Sequence, residues 1–258
     1  MASNVFTCKD VSFSYGNKPL FQSLNLEIPE GKITTLIGAN GSGKTTLFNL
    51  MTKNLRPAAG SVFLRKGNVG ALRMGDFAKL VAVVHQSNTA PADLSVERLV
   101  GYGRFPHRGR GRRGLGPEDA RMVSWALSVT GLAPFAQRAV SSLSGGQLQR
   151  AWIAMALAQG TKVLLLDEPT TYLDVRFQVE TLQLVRRLNR EFGITVVMVL
   201  HDINQALHYS DHLVALAEGR IIAEGAPKEV VTPELIRQVY GIDLKVAEVD
   251  GEPFVLEV

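Results

Sequence analysis

Short apolar runs of strand length alternate with stretches of helical spacing along most of the chain. Val5 to Ser14 and Leu24 to Ile28 read as strands. Ile33 to Ile37 predicts a buried strand that runs straight into a glycine loop, and Lys44 to Thr52 predicts the helix after it. Leu80 to Val84 is another apolar strand. From about Thr89 to Gly160 the pattern changes. Ser95 to Tyr102, Glu118 to Thr130 and Gln147 to Ala158 show helical spacing with no clear strand between them, and Pro117 followed by Glu118 and Asp119 is a helix start. The alternation then resumes, with strands at Val163 to Leu166 and Ile194 to Leu200 and helices at Phe177 to Phe192 and Ile203 to Tyr209. His212 to Leu216 and Arg220 to Ala223 are strands joined at Glu218-Gly219. The tail from Ala226 to Val258 adds one or two helices and a β-pair around Asp250-Gly251.

This pattern predicts one α/β domain with an all-helical insertion. Residues 1–88 and 160–225 form the core, 89–159 the insertion and 226–258 a C-terminal extension. With 46% hydrophobic and 20% charged residues, the 258-residue chain is expected to fold around a packed core. A net charge of +4 is a milder excess than a nucleic-acid binder concentrates. The lone Cys8 excludes an internal disulfide and a multi-cysteine metal site, and points to a reducing compartment. The start MASNVFTCKDVSFSYG lacks the basic segment and apolar run of a signal peptide. Apolar runs such as Ile194 to Leu200 fall far short of the roughly 20 residues that span a bilayer. The expectation is a soluble protein whose membrane role, if any, comes through a partner.

Two glycine turns stand out. Gly38-Ala39-Asn40-Gly41-Ser42-Gly43-Lys44-Thr45-Thr46 fits the P-loop pattern between a strand and a helix. Such a loop turns its backbone N–H groups onto phosphate oxygens, with the helix dipole behind them. Lys44 supplies a point charge for the β- and γ-phosphates, and Thr45 a hydroxyl for Mg²⁺. A second turn, Ser144-Gly145-Gly146-Gln147, opens the helix through Ala158 and has the make-up of another anion site.

Val163 to Leu166 ends in Asp167-Glu168, and acids at the tip of a parallel strand lie where open α/β sheets bind ligands. Asp167 would hold Mg²⁺ directly or through water, and Glu168 would orient or deprotonate an attacking water. Gln86, after the strand ending at Val84, can touch Mg²⁺ or water; it also reads as a surface loop residue. His201, after Leu200, can donate to a γ-phosphate, while Asp202 reads as a helix N-cap. Tyr15 can stack on a base, although an aromatic there also reads as strand packing.

Together these residues resemble the ATP-binding subunit of an ABC transporter, over nearly the whole chain and in the family's order. Tyr15 matches the adenine-stacking aromatic, Gly38 to Thr46 Walker A, Gln86 the Q-loop, Leu143 to Gln147 the LSGGQ signature, and Val163 to Glu168 Walker B. Leu173-Asp174 matches the D-loop and His201 the switch histidine. The resemblance implies a P-loop NTPase core with an N-terminal antiparallel β-subdomain and the helical insertion, an ATPase using ATP and Mg²⁺. It implies a head-to-tail homodimer in which each ATP lies between one copy's P-loop and the other's Ser144 to Gln147. It further implies two membrane permease subunits and, indirectly, a substrate-binding protein, with this chain peripheral on the cytoplasmic face of a bacterial membrane. GYGRFPHRG (Gly101 to Gly109), LLLDEPTTYLD (Leu164 to Asp174) and GAPKEVVTPELIRQVYGI (Gly225 to Ile242) look like the ferric-siderophore import ATPases within that family. Vitamin B12 and haem importers are the alternative in the same group. A soluble ABC ATPase outside transport is the rival from another class; its DNA-repair types carry long coiled coils and its translation types two cassettes, neither seen here, and its iron–sulfur assembly type lacks the Arg104 to His107 and Thr171 to Asp174 patterns.

The densest positive stretch, within 104–114, reads as a solvated loop between helices. Arginine–glycine RNA binding would need repeats or interleaved aromatics, which it lacks, and contact with lipid or a permease loop is a further alternative. No nucleic-acid partner is expected.

Overall fold

The computed structural model describes residues 3–108, 114–249 and 251–256. The chain opens with β1 (Asn4–Tyr15) and β2 (Lys18–Pro29), an antiparallel hairpin closed by Tyr15 opposite Lys18. Next come β3 (Ile33–Ile37), the glycine loop, α1 (Lys44–Met51), β4 (Ala59–Leu64) and the short β5 (Gly67–Asn68). The middle of the chain holds α2 (Met74–Phe77), β6 (Val81–Val84), α3 (Val96–Gly101), a 3₁₀ turn over Tyr102–His107, and α4 (Pro117–Val129). It continues through α5 (Gly145–Ala158), β7 (Val163–Asp167) and α6 (Val175–Phe192). The last third contains β8 (Thr195–Val199), α7 (Ile203–Tyr209), β9 (His212–Ala217), β10 (Arg220–Gly225), α8 (Pro227–Val230), α9 (Pro233–Tyr240), β11 (Lys245–Val249) and β12 (Glu252–Leu256).

These elements gather into two compact units, one of Met1–Leu72 with Thr195–Val258 and one of Arg73–Ile194. The sequence division at 89 and 159 follows element type, whereas contacts draw the line earlier and later, so that β6, β7 and α6 group with the helices.

In the first unit, an antiparallel sheet runs in the order β2-β1-β4-β5, and β3 lies between β8 and β9 with β10 beyond β9. Every residue of β3 and of β8 is buried, Thr34, Thr35 and Thr195 included, as in parallel strands covered on both faces. Leu36 pairs with Val199 and Ile37 with Ala215, so the loop after β3 and the segment after β8 leave the sheet at the same end. The C-terminal hairpin β11-β12 is held by Asn204 of α7, whose amide donates to Val255 O at 2.9 Å and accepts from Val255 N at 2.8 Å. Cys8 is buried in β1, and burial pushes its thiol up to about 12, which leaves it an inert core group.

In the second unit, β6 pairs in parallel with β7 from Val81 opposite Val163 to Val84 opposite Leu166. Helix α5 buries Ala151, Trp152, Ile153, Ala154 and Ala156 against α3, α4, α6 and β6. Arg104 pairs with Asp119 at 2.8 Å, with side chains only 5% and 13% exposed. The Arg104 guanidinium, together with the Gly116 N–H, holds the Asp119 carboxyl below its usual range. The folded state therefore favours the ionised form more than the unfolded chain does. The resulting stability is complete above about pH 4 and is lost as pH falls through the lowered folded value. Asp119→Asn is expected to cost about 2 kcal/mol at pH 7. In urea unfolding, its difference from wild type should shrink as pH falls below about 4; a gap that does not change with pH would contradict this.

Most expected elements are present, with corrections. The second strand starts at Lys18 rather than Leu24, because the tight turn after Tyr15 lets pairing begin at once; Ser23, in a left-handed conformation at φ 52°, interrupts its alternation. Strands β4 and β5 and helix α2 were not expected; β4 opens on Ala59-Gly60-Ser61, which carries no apolar signal. The basic stretch is not wholly a solvated loop, since Tyr102–His107 is a 3₁₀ turn and Arg104 is buried. Gly109 to Arg113 and Asp250 lie outside the described residues. Among the described residues, no helix is long and apolar enough to cross a membrane.

Candidate nucleotide site

The glycine loop is built for close approach. Gly38 sits at φ 151°, and a Cβ there would lie 2.3 Å from the Leu216 carbonyl oxygen, so the loop's first turn needs glycine. Helix α1 starts at Lys44, with Gly43 in a left-handed conformation just before it. Lys44 is 5% exposed, and its ammonium donates to Gly38 O at 2.7 Å and Ala39 O at 3.0 Å, which fixes the charge at the floor of the loop. Ser42 Oγ is buried and makes no hydrogen bond among the described residues. A buried orphan hydroxyl inside a cradle of backbone N–H groups fits a phosphate oxygen.

Asn40 and Thr45 are exposed, Thr45 in the first turn of α1. Thr46 is buried, and its hydroxyl meets the Tyr15 hydroxyl at 3.2 Å. Tyr15 is 56% exposed and stands edge-on to Phe13 at 5.0 Å, leaving ring surface for a base. His201 is exposed at the end where the loop leaves β3, and Asp202 caps α7 by accepting from Gln205 N at 2.9 Å. The turn Glu218-Gly219 braces the loop, with Gly219 N donating to Ser42 O at 3.0 Å. That brace was not anticipated, because the turn signal says nothing about what the turn touches.

In the second unit, the parallel register of β6 and β7 carries Gln86 and Glu168 off the same strand ends. Gln86 Nε2 donates to Glu168 Oε2 at 2.6 Å, and Thr171 Oγ1 donates to the same oxygen at 3.0 Å. Two donors on one carboxylate oxygen fix its direction. Glu168 also sits at φ 50°, a left-handed conformation costing on the order of 1 kcal/mol for a non-glycine residue. Strain of this kind gathers at functional positions. Asp167 is 7% exposed at the tip of β7. Mg²⁺ favours hard oxygen donors, and the Thr45 hydroxyl, the Gln86 amide carbonyl and the Asp167 carboxylate are of that kind.

The second glycine turn caps α5. Ser144 Oγ accepts from Gln147 N at 3.4 Å, and Gln147 Oε1 accepts from Ser144 N at 3.0 Å, a reciprocal capping box. Gln147 thus shapes the turn, while Ser144 and Gly145 face solvent. Gly146 is buried so close to Phe177 that a Cβ would lie 2.4 Å from its ring. Asp174 caps α6 through Phe177 N at 3.1 Å, which ties the α6 start to the same corner.

A strand–loop–helix phosphate cradle, a parallel strand ending in paired acids and a second capped glycine turn define a P-loop nucleotide hydrolase. A sequence-family profile described as ABC transporter matches residues 21–171. The chain is 48% identical over 244 residues to the iron(3+)-hydroxamate import ATP-binding protein FhuC of Bacillus subtilis (strain 168), covering 94% of this chain and 90% of that one. It is 43% identical to the ferric enterobactin transport ATP-binding protein FepC of Escherichia coli (strain K12), covering 96% and 92%. It is 36% identical to the hemin import ATP-binding protein HmuV of Bradyrhizobium diazoefficiens, covering 98% and 95%. Among solved structures, an inward-facing ABC transporter of the metal-chelate type has a TM-score of 0.84 at 27% identity, covering 98% of this chain and 96% of that one. The dimeric post-hydrolysis structure of an ATP-binding cassette bound to ADP and Pi has a TM-score of 0.72 at 30% identity, covering 86% and 98%. The chain belongs to the ABC transporter family, as an ATP-binding subunit that hydrolyses ATP.

Proposed function

We propose that this ATPase energises import of a ferric siderophore, working as a head-to-tail homodimer under two permease subunits on the cytoplasmic face of the cell membrane. A substrate-binding protein would deliver the iron complex to the permeases. The observation that carries the reading is likeness over more than nine-tenths of the chain to the hydroxamate and enterobactin proteins.

In this reading Tyr15 stacks the adenine, held upright by its bond to Thr46. Gly38, Asn40, Gly41, Ser42, Gly43 and Lys44 hold the phosphates. Thr45, Gln86 and Asp167 hold Mg²⁺, which neutralises charge on the phosphate oxygens when bound. Ser144, Gly145 and Gly146 of one copy offer a helix N-terminus to the γ-phosphate on the other, with Gln147 keeping the turn in shape and Asp174 the neighbouring corner. Glu168 takes a proton from the attacking water as its oxygen bonds to the γ-phosphorus and the bridging oxygen leaves with ADP. His201 donates to the γ-phosphate. Because the ligand supplies the charge both copies share, ATP binding closes the dimer, and hydrolysis with product release reopens it.

Deleting the gene is expected to abolish uptake of an iron-labelled hydroxamate or catecholate siderophore and to leave haem and vitamin B12 uptake unchanged. Full siderophore uptake in a deletion strain that has no second such cassette overturns the substrate assignment. Loss of haem or B12 uptake instead transfers the assignment to that ligand.

A further inference from the structure

Helix α5 bears the Ser144 turn at one end and a set of polar contacts at the other. There Arg104 Nη1 donates to Ala158 O at 2.9 Å and to Gln159 O at 3.4 Å, while its Nε is 2.8 Å from Asp119 Oδ1. Asp119 Oδ2 in turn accepts from Gly116 N at 3.0 Å, at the start of α4. His107 Nε2 lies 2.7 Å from Gln159 O. The 3₁₀ turn that carries Arg104 lies directly on the helix backbone, since a Cβ on Gly103 would be 2.0 Å from Met155 O. The Gln159 side chain continues the chain of contacts, its Nε2 donating to Val81 O at 2.8 Å and to Ala78 O. Val81 begins β6, the strand that leads to Gln86.

The last carbonyls of a helix have no partner within it, and a cation beside them also opposes the negative end of the helix dipole. A surface lysine would serve those needs. A buried arginine paired with a largely covered carboxylate costs desolvation, so its selection calls for a gain in geometry. A helix of 14 residues rises about 21 Å, so a tilt of about 5° at the held end moves the far end by about 2 Å. Errors of about 1 Å in placing a group on a reacting phosphate cost on the order of 100-fold in rate.

We propose that Arg104 and Gln159 are positioning residues for the Ser144 turn, holding α5 in one orientation on β6 so that its N-terminus meets the γ-phosphate bound to a second copy of this chain. The proposal rests on the head-to-tail reading above. It assigns Arg104 to the partner's nucleotide rather than to the nucleotide on its own P-loop.

That distinction sets the test. In a Glu168→Gln background, differently tagged chains are mixed and the ATP retained per purified mixed dimer is counted. Lys44→Ala chains mixed with Arg104→Met chains leave one site with an intact loop and an intact Ser144 turn, so about one ATP per mixed dimer is expected. A chain carrying both substitutions, paired with a chain carrying neither, leaves no intact site and should retain at least ten-fold less. A purely structural role for Arg104 would damage its own P-loop equally, and the two arrangements would not differ. Gln159→Leu, which leaves the ion pair in place, must give the same asymmetry; a Gln159→Leu homodimer with wild-type retention overturns the proposal. A control of Lys44→Ala with Ser144→Arg separates the two failures. Recovery in the control but not with Arg104→Met overturns the positioning role alone, and no recovery in either overturns the head-to-tail reading and this inference with it.

Discussion

Glu168→Gln is expected to slow ATP hydrolysis by about 100- to 1000-fold while the ATP-bound dimer accumulates. The substitution keeps the size of the side chain and one acceptor oxygen, so the bonds from Gln86 and Thr171 can persist. What it removes is the carboxylate's ability to take a proton from water. The left-handed conformation at φ 50° is no easier for glutamine than for glutamate, so the backbone stays under the same constraint. The loss should therefore appear in the chemical step and not in nucleotide binding. Phosphate release measures the first effect, and elution volume in the presence of ATP measures the second. Turnover near wild type would remove Glu168 from the reaction, and slowed turnover without a longer-lived dimer would break the link between hydrolysis and reopening.

How far the sequence reached depended on whether a signal was local. Ile33 to Ile37 was legible to the residue because a short run of apolar and β-branched residues leading straight into a glycine loop is a local signal. The helix from Ile203 to Tyr209 and the cap at Asp202 were read for the same reason. Strand β4 escaped because its small and polar opening residues derive their conformation from pairing with Lys9 and Ser12 of β1, not from their own pattern.

The phosphate loop, the paired acids and the Ser144 turn are contiguous motifs and could be read directly. The bonds that organise them could not. Tyr15 meets Thr46 across 31 positions, Gln86 meets Glu168 across 82, and Arg104 meets Ala158 across 54. No window along the chain holds both partners of such a bond. Arg104 was grouped with the basic residues beside it because composition registers its charge but not its burial. Gln147 and Asp174, expected beside nucleotide, also hold helix starts, Gln147 in the capping box of α5 and Asp174 as the cap of α6, a role that the order of residues suggests only once the helix starts are known.

Lys44→Ala and Ser144→Arg should each abolish tight ATP retention by the dimer, through opposite halves of one site. Lys44 is buried, and its ammonium holds Gly38 O and Ala39 O, so alanine removes both the phosphate's countercharge and a brace of the loop. The expected loss in ATP affinity is about 100-fold or more, the scale of a fully desolvated charge contact. Ser144 is exposed and caps α5, so arginine there puts a long cation where the phosphate should lie, and costs about 1 kcal/mol of helix capping besides. Each homodimer has two damaged sites. A mixed dimer has one doubly damaged site and one in which the loop of the Ser144→Arg chain faces the turn of the Lys44→Ala chain, both intact. The measurement that bears most directly on a site shared between copies is the ATP retained by that mixed dimer. The account predicts about one ATP per mixed dimer against almost none for either homodimer; retention no better than that of the homodimers would contradict it.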